Sequence, residues 1–331
     1  MGCGLSTTRI LNPIFSSPSP SSLKEKEKKK EEEKLNFKLA LKLPKEFDGK
    51  GLSYKYFDQN ENVFKLSDNI NTFIKSLFIK EKWQYWIVYN DQIEKLGLNH
   101  TSHGHTKGIL VWNESKIGYL MHSTPNFPRS FNGCEISDIN NDELIFGQHF
   151  LFLEFEFTLD ILNALFIQIT NTNPNIYMFN SNFNLTNVYS ARNEESGKYE
   201  GPVGPVGPEE PIYFSLDNDS TLIHISKSIK CNEDIYEIIS KKYNINLKIQ
   251  SWIRGQELEY TDELKKINIL KADENNTYKT TQNHSKFAVS DKDIVIFGDL
   301  NRMKSQKTRG GSCLYIKNKN LCDALNKEIV E

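Results

Sequence analysis

The segment HTKGILVWNESKIGYLM, residues 105–121, consists of two apolar runs separated by a polar triplet. The runs at 108–112 and 117–121 are typical of β-strands, and Asn-Glu-Ser between them predicts a hairpin turn. His105 and Lys107 lie at the start of the first strand. Because residues i and i+2 of an extended strand point to the same face, this spacing places an imidazole and an ammonium side by side.

A second His-x-Lys triplet opens another strand-like segment near the end of the chain, HSKFAVSDKDIVIFG at 284–298. It contains His284 and Lys286. The chain has seven histidines and 41 lysines and arginines, so about one such triplet is expected by chance. A single copy is therefore a weak signal, and the two copies gain weight only from the sequence around them.

The sequence that follows each triplet is related in the two halves of the chain. The second triplet is followed by Asp291 and then by GDLN at 298–301. The first triplet has Trp112 at the position of Asp291, and HSTPN at 122–126 is a partial counterpart of the later tetrapeptide. Asp291 is a candidate to orient the second histidine or to pair with the lysine beside it.

Strand-like and helix-like segments alternate along the rest of the chain. The run at 35–43 mostly alternates apolar with polar residues, and WQYWIVY at 83–89 is typical of a buried strand. Residues 232–243 have helical spacing, and further apolar runs follow at 247–253, 287–289 and 294–297. This alternation predicts an α/β fold, or a mixed α+β fold, built in layers.

Composition limits the classes of function. The chain has 331 residues, enough for one large domain or two small ones, and a formal net charge of −2. A nucleic-acid partner would therefore meet a local basic patch rather than a generally basic surface. We expect no transmembrane segment, because no run approaches the roughly 18 apolar residues that a spanning helix needs. The five scattered cysteines argue against a disulfide framework.

The first 34 residues are expected to form a disordered tail. Their last part, KEKEKKKEEEK, is typical of a solvated helix or a tether. Gly2 with Ser6 fits the N-myristoylation pattern and Cys3 is a candidate for palmitoylation, the alternative being a chance match to a short pattern. Residues 1–23 lack the features of a secretory signal. We therefore expect a cytoplasmic protein with peripheral membrane attachment through acylation, and a lysosomal location is the alternative.

The folded part is expected to divide into two halves, each with one His-x-Lys triplet. The N-terminal half is placed at 35–165 and the C-terminal half at 166–331. Within the second half, GPVGPVGPEEP at 201–211 is a low-complexity segment with collagen-like triplets. Three such triplets are too few to form a triple helix alone, so an exposed loop insert is expected.

Several longer strings are more specific than the triplets. GHTKG, MHSTPNFP, NHSKFAVS, FGDLNR and RGGS, with the earlier LKLP (41–44), GLSYKYFD (51–58) and YND (89–91), resemble the deoxyribonuclease II family in consistent order. These strings lie between residue 35 and about residue 325. The second triplet with its downstream residues also resembles the signature of the phospholipase D superfamily, with Asp299 where serine is usual.

The resemblance implies a fold and a reaction. The fold would be a phospholipase D-like pseudo-two-fold pair of mixed β-sheets flanked by helices, with both triplets in one cleft. The reaction would be metal-independent endonucleolytic cleavage of DNA through a phosphohistidine, leaving 3′-phosphate ends. The resemblance implies no metal and no cofactor. The expected catalytic residues are His105, Lys107, His284 and Lys286.

The resemblance also implies residues that contact the DNA substrate. The two lysines would bind the non-bridging phosphate oxygens, and Asn126 and Asn301 would donate further hydrogen bonds. His122 matches a histidine of the family, with a structural role as the alternative. Arg302 and Arg309 are candidate phosphate contacts, with surface ion pairs as the alternative.

Two other functions stay open at this point. One alternative is a phospholipase D-type phosphodiesterase acting on lipid or RNA, and membrane attachment would favour lipid. A non-catalytic homologue that binds nucleic acid is the other alternative, although both histidines and both lysines are present. The oligomeric state is not readable from the sequence.

Overall fold

Two large β-sheets, one from each half of the chain, dominate the structure. The computed structural model describes residues 36–79, 83–93, 103–180 and 208–330. The first sheet is antiparallel throughout and has the order β3-β2-β1-β7-β6-β5-β4-β8. Its strands are β1 Phe37–Lys42, β2 Tyr54–Asp58, β3 Val63–Ser67, β4 Tyr85–Asn90, β5 Lys107–Trp112, β6 Lys116–His122, β7 Gln148–Glu156 and β8 Ile176–Phe179.

The second large sheet has seven strands in the order β12-β11-β15-β16-β17-β10-β9. These strands are β9 Ile212–Ser215, β10 Leu222–Lys227, β11 Leu247–Gln250, β12 Leu264–Lys266, β15 Phe287–Ser290, β16 Ile294–Gly298 and β17 Gly311–Lys317. A small third sheet joins β14, β13 and β18. Its strands are β13 Ile269–Lys271, β14 Thr277–Lys279 and β18 Ile329–Val330.

Five α-helices accompany the sheets in the described residues: α1 Lys45–Asp48, α2 Ile70–Phe78, α3 Leu159–Asn171, α4 Ile235–Tyr243 and α5 Lys319–Glu328. The longer helices begin at residues that prefer the N-cap position. The side chains of Asn69, Thr158, Asp234 and Asn318 accept hydrogen bonds from the first turns of α2, α3, α4 and α5. Among the described helices, none is long and apolar enough to cross a membrane.

The two large sheets repeat one topology. Read from β2, the first sheet runs β2-β1-β7-β6-β5-β4-β8, and the second runs β9-β10-β17-β16-β15-β11-β12. Helices α2 and α4 precede the equivalent strands β4 and β11, and α3 and α5 follow β7 and β17. The final pair differs, because β4 and β8 are antiparallel whereas β11 and β12 are parallel. The mixed α+β fold class is confirmed, and the repeated strand order is the one that a pseudo-two-fold pair of sheets predicts.

Helices connect the two halves through packing. α3 belongs to the first half of the chain, yet it packs on β9, β10 and β17 of the second sheet, and α5 contacts β3 of the first. Each sheet also buries its own apolar cluster, one around Phe127, Phe150 and Phe152 and the other around Ile239, Ile249 and Ile296. The predicted division at 165/166 falls inside α3, and β8 of the first sheet follows it.

The local predictions agree with the structure in kind and differ at the ends of elements. The hairpin is formed by β5 and β6, and the strands predicted at 35–43 and 83–89 are β1 and β4. The helix at 232–243 is α4, and the strand at 247–253 ends at Gln250 as β11. The tail at 1–34, with Gly2 and Cys3, and residues 201–207 of the predicted insert lie outside the described residues.

Candidate active site

The first His-x-Lys triplet lies at the start of β5 and is held by the second half of the chain. The backbone N–H of His105 donates to Gly310 O at 2.8 Å. Thr106 Oγ1 donates to Asp299 Oδ2 at 2.9 Å, and the N–H of Lys107 donates to the same carboxylate at 3.4 Å. The side chains of His105 and Lys107 are buried, with 7% and 3% of each residue exposed. The position of this motif therefore depends on loops of the other half.

The second triplet is held by the first half in the reciprocal way. The N–H of His284 donates to Gly147 O at 2.8 Å, and the N–H of Lys286 donates to His149 Nδ1 at 3.2 Å. Gln148 Nε2 lies 3.3 Å from His284 Nδ1. His284 and Lys286 are buried to the same extent as their counterparts. The two motifs are therefore fixed against one another across the junction of the halves.

Two glycines occupy the equivalent positions that accept these backbone bonds. A Cβ on Gly310 would collide with the carbonyl oxygen of Thr172, and a Cβ on Gly147 would lie 2.7 Å from the side-chain oxygen of Asn283. Both distances are shorter than real Cβ contacts allow. Only glycine therefore permits each loop to approach the motif of the opposite half.

Asp91 is the centre of a buried ionic cluster beside the first triplet. It forms ion pairs with Lys107 Nζ and, at 2.9 Å, with Arg309 Nη2. His105 Nδ1 lies 3.7 Å from Asp91 Oδ2. Burial alone would raise the pKa of Asp91, but the charges of His105, Lys107 and Arg309 hold it well below its usual value. Asp91 is therefore a carboxylate at every ordinary pH.

Burial lowers the pKa of both motif histidines. The pKa of His105 is well below its usual value, because burial outweighs the attraction of the Asp91 carboxylate. For His284, burial and the neighbouring cations Lys286 and Lys107 lower the pKa to about 2. Both imidazoles are therefore neutral in the free protein. An anionic ligand that offsets the lysine charges would raise both pKa values again.

Lys286 is a buried cation whose charge is not matched locally. It is 3% exposed, and its Nζ forms neither a hydrogen bond nor an ion pair with the residues that the structure describes. Burial and the nearby Lys107 ammonium lower the pKa of Lys286 to about 7. A buried ammonium without a counter-ion is costly. The site is therefore prepared to receive an anion at this point.

Asp299 joins the first triplet to β17. Its carboxylate accepts hydrogen bonds from Ser312 N at 3.0 Å and Ser312 Oγ at 2.8 Å, in addition to the bonds from Thr106 and Lys107. Burial raises the pKa of Asp299 to about 6, against the effect of these hydrogen bonds. Asp299 thus links the two halves.

Two further histidines lie close to the lysines. The ring of His122 stacks on Phe150, with centroids 6.0 Å apart, and burial followed by the charges of Lys107 and Lys286 lowers its pKa to about 3. His149 is fully buried, and its Nδ1 accepts the backbone bond from Lys286. Burial and the Lys286 charge lower the pKa of His149 well below its usual value. In both rings Nε2 is buried with no hydrogen-bond partner among the described residues.

The two asparagines expected at the substrate differ in their surroundings. Asn301 is 4% exposed, and its Oδ1 is buried with no hydrogen-bond partner in the described part of the chain. Asn126 is half-buried, and its side chain donates to Glu143 Oε1 at 3.1 Å. Asn301 therefore retains an unused polar group, whereas Asn126 already has a partner on its own half.

Two residues expected near the chemistry are placed elsewhere. Arg302 is fully buried, and its guanidinium binds Asp234 at 2.8 Å and Glu237 at 3.2 Å. Its geometry fits packing of the second half and not contact with DNA phosphate. Asp291 accepts hydrogen bonds from the backbone and side chain of Asn246 at the surface, so it neither orients the second histidine nor pairs with the second lysine.

The arrangement can bind a phosphodiester and transfer a proton at two points. Two imidazoles and two lysines lie close together where the halves meet, and fixed cations of this kind stabilise charge that builds on phosphate oxygens. Within the described ranges, no group of three or more His, Cys, Asp or Glu side chains is arranged to hold a metal ion. The four described cysteines, Cys134, Cys231, Cys313 and Cys322, are free thiols.

Sequence reasoning did not identify Asp91, His149 or Gln148 as site residues. Asp91 ends the YND string that carried part of the resemblance, and Asp299 lies within the downstream GDLN string, so both had a signal. His149 and Gln148 had none, because nothing local marks them. They reach the site through pairing of β7 with its neighbours in the sheet.

Comparison with known proteins places this geometry among nucleases. The family model described as Deoxyribonuclease II matches residues 28–331. The chain is similar to Cell-death-related nuclease 7 of Caenorhabditis elegans, with 26% identity over 88% of this chain and 83% of the relative. It is also similar to Deoxyribonuclease-2-beta of Mus musculus, with 26% identity over 88% of this chain and 86% of the relative. Putative deoxyribonuclease-2 of Burkholderia thailandensis is 24% identical, over 86% of this chain and 85% of the relative.

Proposed function

Because the chain belongs to the deoxyribonuclease II family, we propose that it is an endonuclease that hydrolyses DNA by a two-histidine mechanism without a metal ion. The observation that carries this proposal is the reciprocal fixing of the two His-x-Lys triplets across the halves. Lys107 and Lys286 bind the non-bridging phosphate oxygens and offset the charge of the transition state, which is the task a metal ion performs in other nucleases.

The surroundings of the two imidazoles suggest which one attacks. The Asp91 carboxylate lies on the Nδ1 side of His105, which favours the tautomer with hydrogen on Nδ1 and a free electron pair on Nε2. His284 Nδ1 faces Gln148 Nε2, and Gln148 Oε1 accepts from Ser123, so this amide nitrogen donates to the ring. The neutral tautomer of His284 then carries hydrogen on Nε2, and protonation at Nδ1 requires the Gln148 amide to turn its oxygen towards the ring. His105 is accordingly the nucleophile and His284 the proton carrier.

The reaction proceeds in two displacements. His105 Nε2 attacks phosphorus, the bond from phosphorus to the 5′-oxygen breaks, and protonated His284 gives its proton to that oxygen. The bound phosphate offsets the lysine charges that keep the pKa of His284 low, so the imidazolium can form in the complex. Neutral His284 then takes a proton from water, the hydroxide attacks phosphorus, and the phosphorus–nitrogen bond breaks. The products are a 3′-phosphate and a 5′-hydroxyl.

The first experiment is cleavage of supercoiled plasmid in EDTA from pH 4 to 8. We expect nicking by the wild type and a loss of at least about a thousandfold in His105→Ala and in His284→Ala. His224→Ala is the matched control, because His224 is equally buried and lies in β10 outside the motifs. Equal activity in all three variants, or activity only with added divalent metal, contradicts the proposal.

A phosphodiester with a p-nitrophenyl leaving group separates the roles of the two histidines. p-Nitrophenolate leaves without protonation, so His284→Ala should release about one equivalent in a burst and then stall as the phosphoenzyme. His105→Ala should release none. A burst from His105→Ala and none from His284→Ala would reverse the assignment while leaving the two-histidine mechanism intact.

A further inference from the structure

The two halves of the site differ in one pair of equivalent residues. Asn90 lies opposite Lys107 in the pairing of β4 with β5, and Asp91 follows it. In the pairing of β11 with β15, Gln250 lies opposite Phe287. One residue further along this antiparallel register, Ser251 is opposite Lys286, and Trp252 follows Ser251. Trp252 is therefore the equivalent of Asp91.

The partner of Trp252 is equivalent to the partner of Asp91. Arg309 precedes Gly310, whose oxygen accepts the bond from the first histidine, and Phe146 precedes Gly147, whose oxygen accepts the bond from the second. Arg309 forms an ion pair with Asp91, and the ring centroids of Phe146 and Trp252 are 6.0 Å apart. An ionic pair on one side of the site is thus replaced by an aromatic pair on the other.

The aromatic pair packs directly on the second histidine. The Phe146 ring is stacked on His284, with a centroid distance of 4.2 Å and an angle of 14°, and the Trp252 centroid lies 4.0 Å away on a tilted plane. Both aromatic residues are only half-buried, whereas His284 is 7% exposed. Part of each aromatic residue therefore remains accessible next to the catalytic imidazole.

The Trp252 ring is bordered on one face by an arginine at the surface and not by residues of the core. Arg254 is exposed, and its guanidinium lies 5.9 Å from the centroid of the Trp252 ring. Stacked groups in contact are separated by about 3.5–4 Å, so the arginine does not close this face. Arginine beside an exposed indole is a combination that proteins use to hold single-stranded nucleic acid.

We propose that Phe146, Trp252 and Arg254 form a stacking subsite for a nucleobase adjacent to the cleaved phosphate. The subsite lies on the His284 side only, because the equivalent positions beside His105 hold Asp91 and Arg309. The phosphate binds at the two lysines, and the neighbouring unpaired base rests on the indole with the guanidinium beside it. Stacking requires a base that is not paired, so the base either leaves the duplex or lies in a single strand when it occupies the subsite. This proposal rests on the proposed nuclease function.

The test compares two oligomers of about ten units, one of thymidine and one of the abasic tetrahydrofuran nucleotide, which keeps the backbone and its charges. We expect the wild type to cleave the thymidine oligomer about tenfold to a hundredfold more efficiently in kcat/KM. Trp252→Ala should remove this preference, so that kcat/KM falls at least about tenfold more for the thymidine oligomer than for the abasic oligomer. Trp252→Phe should retain most of the preference.

Two controls separate this role from a purely structural one. If the aromatic pair only holds His284 in place, Trp252→Ala lowers cleavage of both oligomers equally, and the subsite is refuted. Trp86→Ala removes a half-buried tryptophan that packs on Phe131 in the first sheet, and it should leave the preference unchanged. Equal cleavage of both oligomers by the wild type also refutes the subsite.

Binding distinguishes failure of the subsite from failure of the nuclease function. Fluorescence polarisation of labelled oligomers with His105→Ala should show about tenfold tighter binding of thymidine than of abasic oligomer, and the added Trp252→Ala change should remove the difference. If the wild type cuts no DNA but this difference is present, the nuclease function fails and the subsite stands. If the difference is absent, the subsite fails whatever the activity.

Discussion

Lys42 and Lys227 are equivalent residues that perform the same task in the two halves. Each is the last residue of its strand, β1 or β10, and each is fully buried. Lys42 Nζ donates to Leu144 O and Phe146 O at 2.7 Å, and Lys227 Nζ donates to Lys307 O at 2.6 Å. These carbonyls belong to the loops that lead to Gly147 and Gly310, so each lysine fixes the loop that holds the motif of the opposite half.

Replacement of either lysine by methionine should destabilise the protein and disturb the site. The change leaves buried carbonyl groups without donors, which costs about 2–4 kcal/mol of unfolding free energy. We expect kcat to fall about tenfold while KM changes little. A displaced loop shifts the histidine that it holds but leaves the lysines that bind phosphate in place. Urea unfolding and steady-state kinetics measure the two effects. Lys55→Met, which breaks an ion pair between Lys55 and Glu328, is the control that should leave kcat unchanged.

Lys286 should determine the alkaline limit of activity. Its pKa in the free protein is lowered to about 7, so the ammonium that binds phosphate is lost as pH rises through that value. Because His284 must also gain a proton, we expect kcat/KM of the wild type to fall with pH throughout and to fall more steeply above pH 7. The arginine of Lys286→Arg stays charged at every accessible pH. The steeper decline of kcat/KM above pH 7 should therefore disappear in this variant, even if its rate at pH 6 is lower. Lys65→Arg, at the surface, should keep the wild-type profile, and an unchanged steeper decline in Lys286→Arg would assign that decline to another group.

Inorganic phosphate should partly compensate for the loss of the Asp91 carboxylate. Asp91→Asn leaves the buried charges of Lys107 and Arg309 unpaired, which costs about 3–5 kcal/mol. Phosphate should then bind in place of the carboxylate and raise the melting temperature of the variant more than that of the wild type. Asp234→Asn is the control, since it removes one of the two carboxylates that pair with the buried Arg302, away from the motifs. Equal phosphate effects in both variants would show that the anion does not bind at the lysines.

The features that could be predicted from sequence are those encoded within a few residues. The hairpin of β5 and β6 and the His-x-Lys spacing depend on local periodicity, and both were identified. Arg302 was misplaced because its neighbours in GDLN suggested the cleft, whereas the side chain points to Asp234 on α4. Contacts of this kind join segments 68 residues apart and leave no local pattern.

Pseudo-symmetry was implied by the family resemblance, but its consequences required the strand register. The equivalence of Asp91 with Trp252 is invisible in the sequence, because the two residues share no local motif and only follow a strand, β4 in the first half and β11 in the second. The same holds for His149, which reaches Lys286 only because β7 borders the junction of the halves. Tertiary pairing, rather than local propensity, decides which polar residues face the phosphate.

Acid should destabilise the free protein because its buried histidines are neutral. At His224 the contribution of one such histidine can be measured by itself. This residue is fully buried, neither ring nitrogen has a partner among the described residues, and burial lowers its pKa to about 3. Below pH 6.5 the unfolded chain binds a proton at this position and the folded chain does not, so stability falls as pH decreases from 6.5 towards 3. The slope is about 1.4 kcal/mol per pH unit for one histidine.

His224→Leu should therefore reduce the acid dependence of the unfolding free energy by that slope. Urea unfolding at several pH values between 6.5 and 4.5 measures it, and Ile225→Val is a control that shortens a neighbouring side chain without removing a titrating group. The control curve should run parallel to the wild type, whereas the His224→Leu curve should be shallower. Parallel curves for all three proteins would mean that His224 takes up its proton in the folded state, and its burial would then not govern its charge.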